Sequence, residues 1–424
     1  MTPTLIGLID LNNFYVSCER VFDPGLWGRP VVVLSNNDGA CVARSQEAKA
    51  LGIAMGTPWF QVAPLQHSHG LIARSSNYAL YGRLSQRIAE IIRDRVPQQE
   101  IYSIDESFAD LSGIADPSAL AHKLRQDILD WTHIPSCVGI ASTKTRAKLA
   151  NHIAKIHPEF QGVFNLETHT LKQQEDMFQS MDVQEVWGVG KRLANRLHNM
   201  GIHTVLDLYR TDPHNIRHLM GVVLARTVLE LQGQSCLSLQ TQPVPQQQMV
   251  VSRSFSGLAT QIHELKAALL QHTCRAAEKL RQRGLVTSAV VVFAQTHPFR
   301  KQDPQYHGHC LIPLTTPTQD TLLMVQAAVQ GLKQMYRPSY RYKKAGIILP
   351  DLRPVREQQT DWLDAGASCQ RQNLMQALDQ INQRFGQRTL IPASTLNSGL
   401  IAMRRDRCSP NYMGSWDEIF SVSC

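Results

Sequence analysis

The hydrophobic positions divide the chain into short apolar runs and longer periodic segments. Residues 5–9 form a continuous apolar run that ends at Asp10, and a run of this length is typical of a buried strand. Residues 136–141 form a similar run. Residues 78–96 and 117–131 instead repeat their apolar positions at helical spacing, which predicts two amphipathic helices. The alternation of the two patterns predicts an α+β multidomain protein.

The segment 100–111 is rich in apolar residues and carries two adjacent carboxylates, Asp105 and Glu106, in its middle. It predicts a β-hairpin with an acidic tip, because neighbouring side chains on a straight strand point to opposite faces unless the chain turns. Asp10 ends a buried strand and is expected on the rim of the same sheet. Three carboxylates on one rim favour Mg²⁺, which serves phosphoryl transfer. The alternative is that Asp105 and Glu106 are only turn residues.

A helix predicted over 145–156 follows the strand at 136–141 and carries a group of basic residues. They are Lys144, Arg146, Lys148 and Lys155. A solvated helix face is the alternative explanation for such a group. Together with the acidic hairpin, these elements predict an antiparallel sheet with helices on one face.

Residues 186–197 combine a hydrophobic start, a Gly-x-Gly turn and an amphipathic helix rich in Lys and Arg. This pattern resembles a helix-hairpin-helix, in which Gly188 and Gly190 let backbone N–H groups approach a DNA phosphate closely. Lys191 follows the turn directly and is a further candidate for DNA contact. A purely structural turn is the alternative.

Residues 240–248 contain two prolines and three consecutive glutamines and predict an extended linker. Beyond it, strands at 250–255, 287–294, 309–314 and 341–349 and helices at 262–283 and 318–334 predict a split βαβ domain.

Charge singles out the same domain. The chain has 424 residues and a formal charge of +8, and residues 251–350 hold 13 Lys and Arg against 4 Asp and Glu, a net of +9. A basic domain of this kind favours salt-sensitive binding to nucleic acid, and Arg253 is its candidate contact.

Other features of composition concern the compartment. Nine cysteines lie scattered without a Cys-x-x-Cys pair, which suits free thiols in a reducing cytosol. No apolar stretch of about 18 residues occurs. We therefore expect a cytoplasmic protein without a membrane partner.

Several motifs resemble the UmuC branch of the Y-family translesion DNA polymerases. The two palm motifs are at 10–19 and 102–108, and the branch-specific stretches are at 34–39, 47–52, 75–78 and 139–145. The resemblance implies a right-hand polymerase with the following parts: palm at 1–20 and 76–165, small fingers at 21–75, helix-hairpin-helix thumb at 166–240, linker at 241–249, little finger at 250–350 and a C-terminal partner-binding and clamp-binding region at 351–424. A helix is predicted in the tail at 373–385.

The same resemblance implies roles for individual residues. Asp10, Asp105 and Glu106, with the carbonyl of Leu11, would hold two Mg²⁺ ions. The remaining candidates line the nucleotide site: Phe14, Tyr15, Lys49 and Lys155. Tyr15 matches the steric gate against a 2′-hydroxyl and the two lysines match triphosphate contacts, whereas the ring of Phe14 is expected in the core.

The partners implied are primer-template DNA, deoxynucleoside triphosphates, a UmuD-type processed dimer, a RecA filament and the β sliding clamp. The candidate clamp motif consists of Gln359, Asp361, Trp362 and Leu363, which would dock as an extended peptide. The expected function is error-prone translesion synthesis in the SOS response. A nucleotide cyclase and a catalytically silent DNA-binding scaffold of a mutagenesis complex are the rival interpretations, and the basic domain and the three acids weigh against them respectively.

Overall fold

The structure is a computed structural model that describes residues 4–242, 245–357, 365–386, 389–392, 404–410 and 412–414. The described residues up to 242 and from 405 onwards form one compact unit, and those from 245 to 404 form a second. None of the helices in these ranges is long and apolar enough to cross a membrane.

The first 75 residues contain four strands and four helices. In chain order they are β1 (Ile6–Leu11), α1 (Phe14–Phe22), β2 (Val31–Leu34), β3 (Cys41–Arg44), α2 (Gln46–Ala50), α3 (Trp59–Val62), α4 (Leu65–Ser68) and β4 (Ile72–Ser75). Strand β2 pairs antiparallel with β3 and parallel with β4 in a small separate sheet. This sheet has its own core, which includes Val32, Leu34 and Ala48.

The following segment completes a larger sheet around β1. Its elements are α5 (Tyr78–Arg93), β5 (Gln99–Ile101), β6 (Glu106–Asp110), α6 (Pro117–Thr132), β7 (Ser136–Ala141), α7 (Lys144–Ile156) and β8 (Val163–Asn165). The strand order is β5-β6-β1-β7-β8, and β1 is antiparallel to both β6 and β7. The predicted acidic hairpin is confirmed as β5 and β6 joined by a turn. One pair, β7 with β8, is parallel.

Helices cover both faces of this sheet. Ile6 and Leu8 of β1 pack with α7, whereas Ile9 and Leu11 pack with α1, α5 and α6. The prediction of helices on one face was therefore wrong. The physical reason is that β1 is apolar at successive positions, so both of its faces must be buried.

Helix α7 lies unusually close to the sheet. A Cβ atom on Gly139 of β7 would lie 2.1 Å from the backbone nitrogen of Asn151 in α7, so only glycine permits this approach. The side chain of Asn151 in turn donates to the backbone oxygens of Leu8 (3.2 Å) and Cys137 (2.9 Å). These contacts fix α7 over β1 and β7.

The basic residues at the start of α7 are buried rather than solvated. Lys144 is 4% exposed and forms an ion pair with Glu100. The guanidinium of Arg146 donates to the side chains of Glu167 (3.2 Å) and Gln174 (2.8 Å). The solvated-face interpretation is wrong for these two residues, because their charges hold neighbouring elements onto the sheet.

Five helices follow in the first unit. They are α8 (Leu171–Ser180), α9 (Lys191–His198), α10 (Val205–Tyr209), α11 (Pro213–Met220) and α12 (Val222–Leu231). Their buried residues share one core with α7 and with the face of the sheet that α7 covers. This helical layer is thus packed on the side of the sheet toward which Leu8 points.

The second unit contains the predicted split βαβ arrangement. Its elements are β9 (Met249–Ala259), α13 (Ile262–Gln282), β10 (Leu285–Thr296), β11 (His307–Thr318), α14 (Thr321–Met335), β12 (Tyr342–Leu349), β13 (Arg353–Pro354) and α15 (Ala365–Phe385). The sheet order is β11-β10-β12-β9, with antiparallel neighbours. Each βαβ unit therefore has a strand of the other between its own two strands. Helix α15 begins at Ala365 rather than at 373.

Candidate active site

Two of the three predicted carboxylates are direct cross-strand neighbours. Asp10 of β1 lies opposite Glu106 of β6 in the antiparallel register, which places their Cα atoms about 5 Å apart on one face of the sheet. The same register pairs Leu8 with Phe108, and both pack toward α7. Asp10 and Glu106 therefore point to the α7 side of the sheet.

Two lysines of α7 meet these two acids. The Nζ of Lys155 lies 2.7 Å from Oδ2 of Asp10, and the Nζ of Lys148 lies 3.0 Å from both carboxylate oxygens of Glu106. The lysines are seven residues apart, which is two helical turns, so they lie on one face of the helix. The result is an alternating set of charges in which each carboxylate has its own cation.

The third carboxylate, Asp105, lies in the hairpin turn. The hydroxyl of Ser103 donates to Oδ1 of Asp105 (2.5 Å) and accepts from the backbone N–H groups of Asp105 (3.1 Å) and Glu106 (3.0 Å). The backbone N–H of Leu11 donates to the carbonyl oxygen of Asp105 (2.9 Å). The turn is thereby held against the end of β1, as the sequence pattern predicted.

Burial raises the pKa of Asp10 to about 6. Lys155 opposes this shift by its charge and its hydrogen bond, and the charges of Glu106 and Asp105 add to it. Both other acids therefore lie near enough to act on the Asp10 carboxylate. A cation bound among the three would relieve their repulsion.

The donor set suits a hard divalent cation. All three side chains offer carboxylate oxygens, and the carbonyl of Leu11 adds another oxygen, which is the ligand type that Mg²⁺ prefers. In the described ranges, no three His, Cys, Asp or Glu side chains are already grouped at metal-binding distances. Lys155, Lys148 and Ser103 instead each engage a different carboxylate. The residues fit the ion in the chemistry of their donors, and Asp10 and Glu106 line one open cleft, whose lining does not include Asp105.

The predicted nucleotide-site aromatics lie at the start of α1. Phe14 is 3% exposed and belongs to the core, as expected. The Tyr15 ring is half-buried and stacks on Tyr81 of α5, with 4.6 Å between centroids and an interplanar angle of 16°. The charge of Asp105 contributes to raising the pKa of Tyr15, after burial and Tyr78. Tyr15 is thus placed beside the acidic turn.

Lys49 of α2 is exposed and lies within electrostatic reach of the same site. Its pKa is lowered by partial burial and by the charges of Arg44 and Lys155, while Asp10 acts in the opposite direction. The structure therefore brings Lys49 toward Lys155, although α2 packs on the small sheet and α7 on the larger one. Their contact with a triphosphate remains a prediction.

An open cleft of about 510 Å³ connects the acids to the glycine turn. Asp10, Glu106, Lys148 and Lys155 line one wall, and residues 184–190 line the other. Gly188 has a φ of +89°, a conformation that strongly favours glycine. Gly190 is the N-cap residue of α9, and Lys191, the first residue of that helix, is exposed. The glycine turn therefore faces the carboxylates across the cleft.

The sequence pattern did not single out Lys148 and Trp187 as parts of the site. The Nζ of Lys148 lies 4.6 Å from the ring centroid of Tyr102 and 5.1 Å from that of Trp187, within reach of a cation–π interaction. The Tyr102 and Trp187 rings also meet edge to face, 5.5 Å apart. The seven-residue spacing of Lys148 from Lys155 was the available signal.

Two further predictions fall elsewhere. Arg253 lies on β9 opposite the buried Ala345, and its charge helps to lower the pKa of His272 in α13. Its side chain is therefore on the face that the helices cover, and its contact with DNA stays a prediction. The clamp motif, with Gln359, Asp361, Trp362 and Leu363, lies outside the described residues.

Family comparisons agree along most of the chain. Residues 9–152 match the impB/mucB/samB family, residues 246–362 match the C-terminal domain of the impB/mucB/samB family, and residues 372–422 match a domain of unknown function, DUF4113. Protein SamB of Salmonella typhimurium is 41% identical over 98% of this chain and 99% of its own length. Protein UmuC of Salmonella typhimurium strain LT2 is 40% identical over 99% of this chain and all of its own length.

More distant matches indicate the same fold. DNA polymerase IV of Moorella thermoacetica is 28% identical over 92% of this chain and 96% of its own length. Among solved structures, a Y-family DNA polymerase chimera of Dbh and Dpo4 superposes with a TM-score of 0.65 at 20% identity, covering 82% of this chain and 99% of that one. The fold is therefore that of a Y-family polymerase.

The family match and the relatives, together with this fold, place the chain among the DNA-directed DNA polymerases. The chain belongs to the impB/mucB/samB family of UmuC-like Y-family DNA polymerases. Enzymes of this class act on DNA and deoxynucleoside triphosphates and use divalent metal ions.

Proposed function

We propose that this polymerase performs error-prone translesion synthesis in the SOS response by a two-metal mechanism. The observation that carries the proposal is the cross-strand pair of Asp10 and Glu106 in a cleft whose opposite wall is the glycine turn at 188–190. This arrangement puts an acidic rim and a candidate DNA-backbone site on the two sides of one space. A primer end held by the turn would lie next to the acids.

Asp10, Asp105, Glu106 and the carbonyl of Leu11 would hold two Mg²⁺ ions. Bound there, the ions would lower the pKa of the primer 3′-hydroxyl and neutralise charge on the triphosphate and on the leaving pyrophosphate. The protein itself needs no nucleophile for this reaction. Its contribution is to place the primer end and the triphosphate in line.

The two lysines of α7 have different tasks in this proposal. Lys155 lies 2.7 Å from Asp10 and would exchange that carboxylate for a phosphate oxygen when nucleotide and metal bind, joined by Lys49. Lys148 would stay with Glu106, because the rings of Tyr102 and Trp187 hold its ammonium group from the other side. Lys148 is therefore a positioning residue for Glu106.

Tyr15 would select the sugar of the incoming nucleotide. Its ring is fixed by stacking on Tyr81, and a fixed ring beside the acidic turn leaves no space for a 2′-hydroxyl. Backbone N–H groups at Gly188 and Gly190, with the exposed Lys191, would bind a primer phosphate without reading sequence.

We further propose that a UmuD-type processed dimer, a RecA filament and the β sliding clamp act with the chain. Support comes from the 40% identity to Protein UmuC over nearly the whole chain. The segment at 359–363 would bind the clamp through its apolar side chains.

A catalytically silent DNA-binding scaffold is the rival function. The presence of all three acids, two of them each facing a lysine, favours the active enzyme. A nucleotide cyclase would need neither the glycine turn nor the basic second unit.

Primer extension across an abasic template site tests the proposal. The reaction contains the full chain, its UmuD-type partner, RecA filament, clamp and Mg²⁺, and the control is the Asp105→Asn/Glu106→Gln double variant. We expect bypass by the wild type and none by the control. If both proteins shift primer-template DNA but neither extends it, the scaffold function replaces the polymerase function proposed here.

A further inference from the structure

Near its C-terminal end the chain returns to the first unit. We call residues 405–410 and 412–414 the C-terminal strap; they lie within the match to a domain of unknown function. The backbone N–H of Ser75 donates to the carbonyl oxygen of Arg407 (3.0 Å), and the N–H of Arg407 donates to Oγ of Ser75 (3.0 Å). Cys408 forms a parallel bridge with Ser75. The strap therefore docks at the end of β4, an edge strand of the small sheet.

On the small-sheet side, the strap engages two more groups. The N–H of Asp406 donates to Oδ2 of Asp38 (3.3 Å), whose other oxygen accepts from the hydroxyl of Ser75 (2.7 Å). The guanidinium of Arg407 lies 5.1 Å from the ring centroid of Trp59. These contacts bind the strap to the small sheet and its α3 helix.

On the other side, the strap reaches the two helices that carry the stacked tyrosines. The amide nitrogen of Asn77, the cap of α5, donates to the carbonyl of Ser409 (3.2 Å) and to that of Pro410 (3.3 Å). The ring of Tyr412 stacks on Phe22 of α1, with 4.8 Å between centroids. One segment thus spans the small sheet, α1 and α5.

A continuous line of contacts leads from the strap to Tyr15. The hydroxyl of Ser409 donates to Oε1 of Glu19 (3.1 Å), and the hydroxyl of Tyr81 donates to the same oxygen (2.6 Å). Tyr81 is fully buried and stacks on Tyr15. Glu19 follows Tyr15 by four residues on α1, so the two side chains lie on one face of that helix.

Glu19 depends on these donors because it is 2% exposed. Burial raises its pKa, and the hydrogen bonds from Tyr81 and Ser409 act in the opposite direction. A buried carboxylate that loses a donor moves or takes up a proton. Either response would change the acceptor that orients Tyr81.

We propose that the C-terminal strap is a positioning element for sugar selection. Ser409 fixes Glu19, Glu19 orients Tyr81, and Tyr81 holds the Tyr15 ring in the pose that meets the incoming sugar. The inference rests on the proposed function, in which Tyr15 excludes the 2′-hydroxyl. Ser409 and Glu19 act through Tyr15 and do not touch the nucleotide themselves.

The test measures single-nucleotide insertion of dCTP and of CTP opposite a template guanine. It uses the full chain with its partners and undamaged DNA, and the readout is the ratio of the two kcat/KM values. Ser409→Ala removes the hydroxyl that donates to Glu19 and also accepts from the side-chain amide of Asn77 (3.1 Å). It should lower this deoxy-to-ribo ratio about fivefold or more, since one typical hydrogen bond corresponds to a factor of about five. Ser409→Thr keeps a hydroxyl and should keep the ratio within about twofold of wild type.

A double-variant cycle separates the strap from the gate. If the strap acts through Tyr15, adding Ser409→Ala to Tyr15→Ala should not change the ratio further. Tyr412→Leu removes the stacking on Phe22 at the far end of the strap, and it should lower the ratio in the same direction. If circular dichroism shows that Ser409→Ala folds poorly, Tyr412→Leu provides the test instead.

Three outcomes would overturn the inference. An unchanged ratio in Ser409→Ala and Tyr412→Leu, with a lower ratio in Tyr15→Ala, would remove the strap from sugar selection and leave the proposed function intact. Equal losses of kcat/KM with dCTP and CTP would show that the strap only stabilises the structure. An unchanged ratio in Tyr15→Ala would overturn the gate itself, and the strap's role would fall with it.

Discussion

At the scale of single residues, each of the three rim acids has its own polar partner, a lysine for two of them and a serine hydroxyl for the third. Lys155 is paired with Asp10 and Lys148 with Glu106, and Ser103 serves Asp105. Such pairing lets three acids share one rim without a bound cation, because each carboxylate has a favourable neighbour. The pairing also allows Lys155 to exchange the Asp10 carboxylate for a phosphate oxygen, since the Lys155 side chain is about one-third exposed.

Tyr15→Ala tests the sugar-selecting role directly. Removing the ring opens space for a 2′-hydroxyl, so ribonucleotide insertion should rise and the deoxy-to-ribo ratio of kcat/KM should fall about tenfold or more, at least about 1.4 kcal/mol. Tyr15→Phe keeps the ring and is the matched control, for which we expect nearly wild-type discrimination. Equal ratios in wild type and Tyr15→Ala would contradict the role.

His272 gives the second unit a pH-dependent stability. Burial, with a smaller effect from the charge of Arg253, lowers its pKa to about 4, against about 6.5 in an unfolded chain. Between these two values the unfolded state binds a proton that the folded state does not. The free energy of unfolding should therefore be highest above pH 6.5 and should fall by up to about 3 kcal/mol as the pH drops toward 4.

The comparison with His272→Leu isolates this contribution. Chemical unfolding followed by circular dichroism at pH 7 and pH 5 should show a larger loss on acidification in the wild type than in the variant. His272 Nε2 has no hydrogen-bond partner among the described residues, so leucine removes no bond there. The same loss in both proteins would show that another group causes it.

At the scale of elements, the acidic hairpin works because its turn is fixed. The hydroxyl of Ser103 binds both N–H groups of the acid pair and the Asp105 carboxylate. Helix α7 carries the two lysines that meet the acids. It is held on the sheet by its close approach to Gly139 and by the hydrogen bonds from Asn151 to β1 and β7. The hairpin and the helix together set the spacing of acids and lysines.

Ser103→Ala should therefore weaken metal use before it weakens folding. Losing hydrogen bonds worth about 1 kcal/mol each should raise the Mg²⁺ concentration for half-maximal extension about fivefold to thirtyfold. The matched control is Ser107→Ala on the same hairpin, because within the described part of the chain the Ser107 hydroxyl has a hydrogen bond only from Gln99 and does not support the turn. An unchanged Mg²⁺ dependence in Ser103→Ala would mean that the turn holds its shape without the hydroxyl.

At the scale of the whole molecule, charge and chemistry are divided between two units. The carboxylates and the glycine turn belong to the first unit, whereas residues 251–350, with a net charge of +9, belong to the second. Two units that bind one duplex gain affinity together without any further contact. The polymerase should thus depend on the basic unit for holding DNA and on the first for chemistry.

Binding to primer-template DNA should fall steeply with salt. The logarithm of the association constant should decrease linearly with the logarithm of salt concentration, with a slope of about −4 or steeper, because each neutralised duplex phosphate contributes about −0.9. Lys191→Gln should reduce the slope by about one. Lys172→Gln, exposed on α8 and not among the residues that line the cleft, should leave the slope unchanged. A slope near zero in the wild type would contradict phosphate binding.

Much of the fold and the position of the acid pair could be predicted from local spacing. The apolar run that ends at Asp10, the acid pair inside 100–111 and the strand-helix order of the second unit all depend on local spacing, and the structure has each of them. Local spacing predicts such features because the side-chain period of a strand or helix is fixed by the backbone.

Only the tertiary structure decided which residues meet across long distances. Gly139 brings α7 onto the sheet, and this packing pairs the lysines of a basic helix with half-buried acids. Spacing alone left a solvated face open as the alternative. The contact of Ser409 with Glu19 joins residues 390 positions apart, and no period in the sequence marks it. Contacts of this kind arise from shape and packing between elements, which local patterns do not encode.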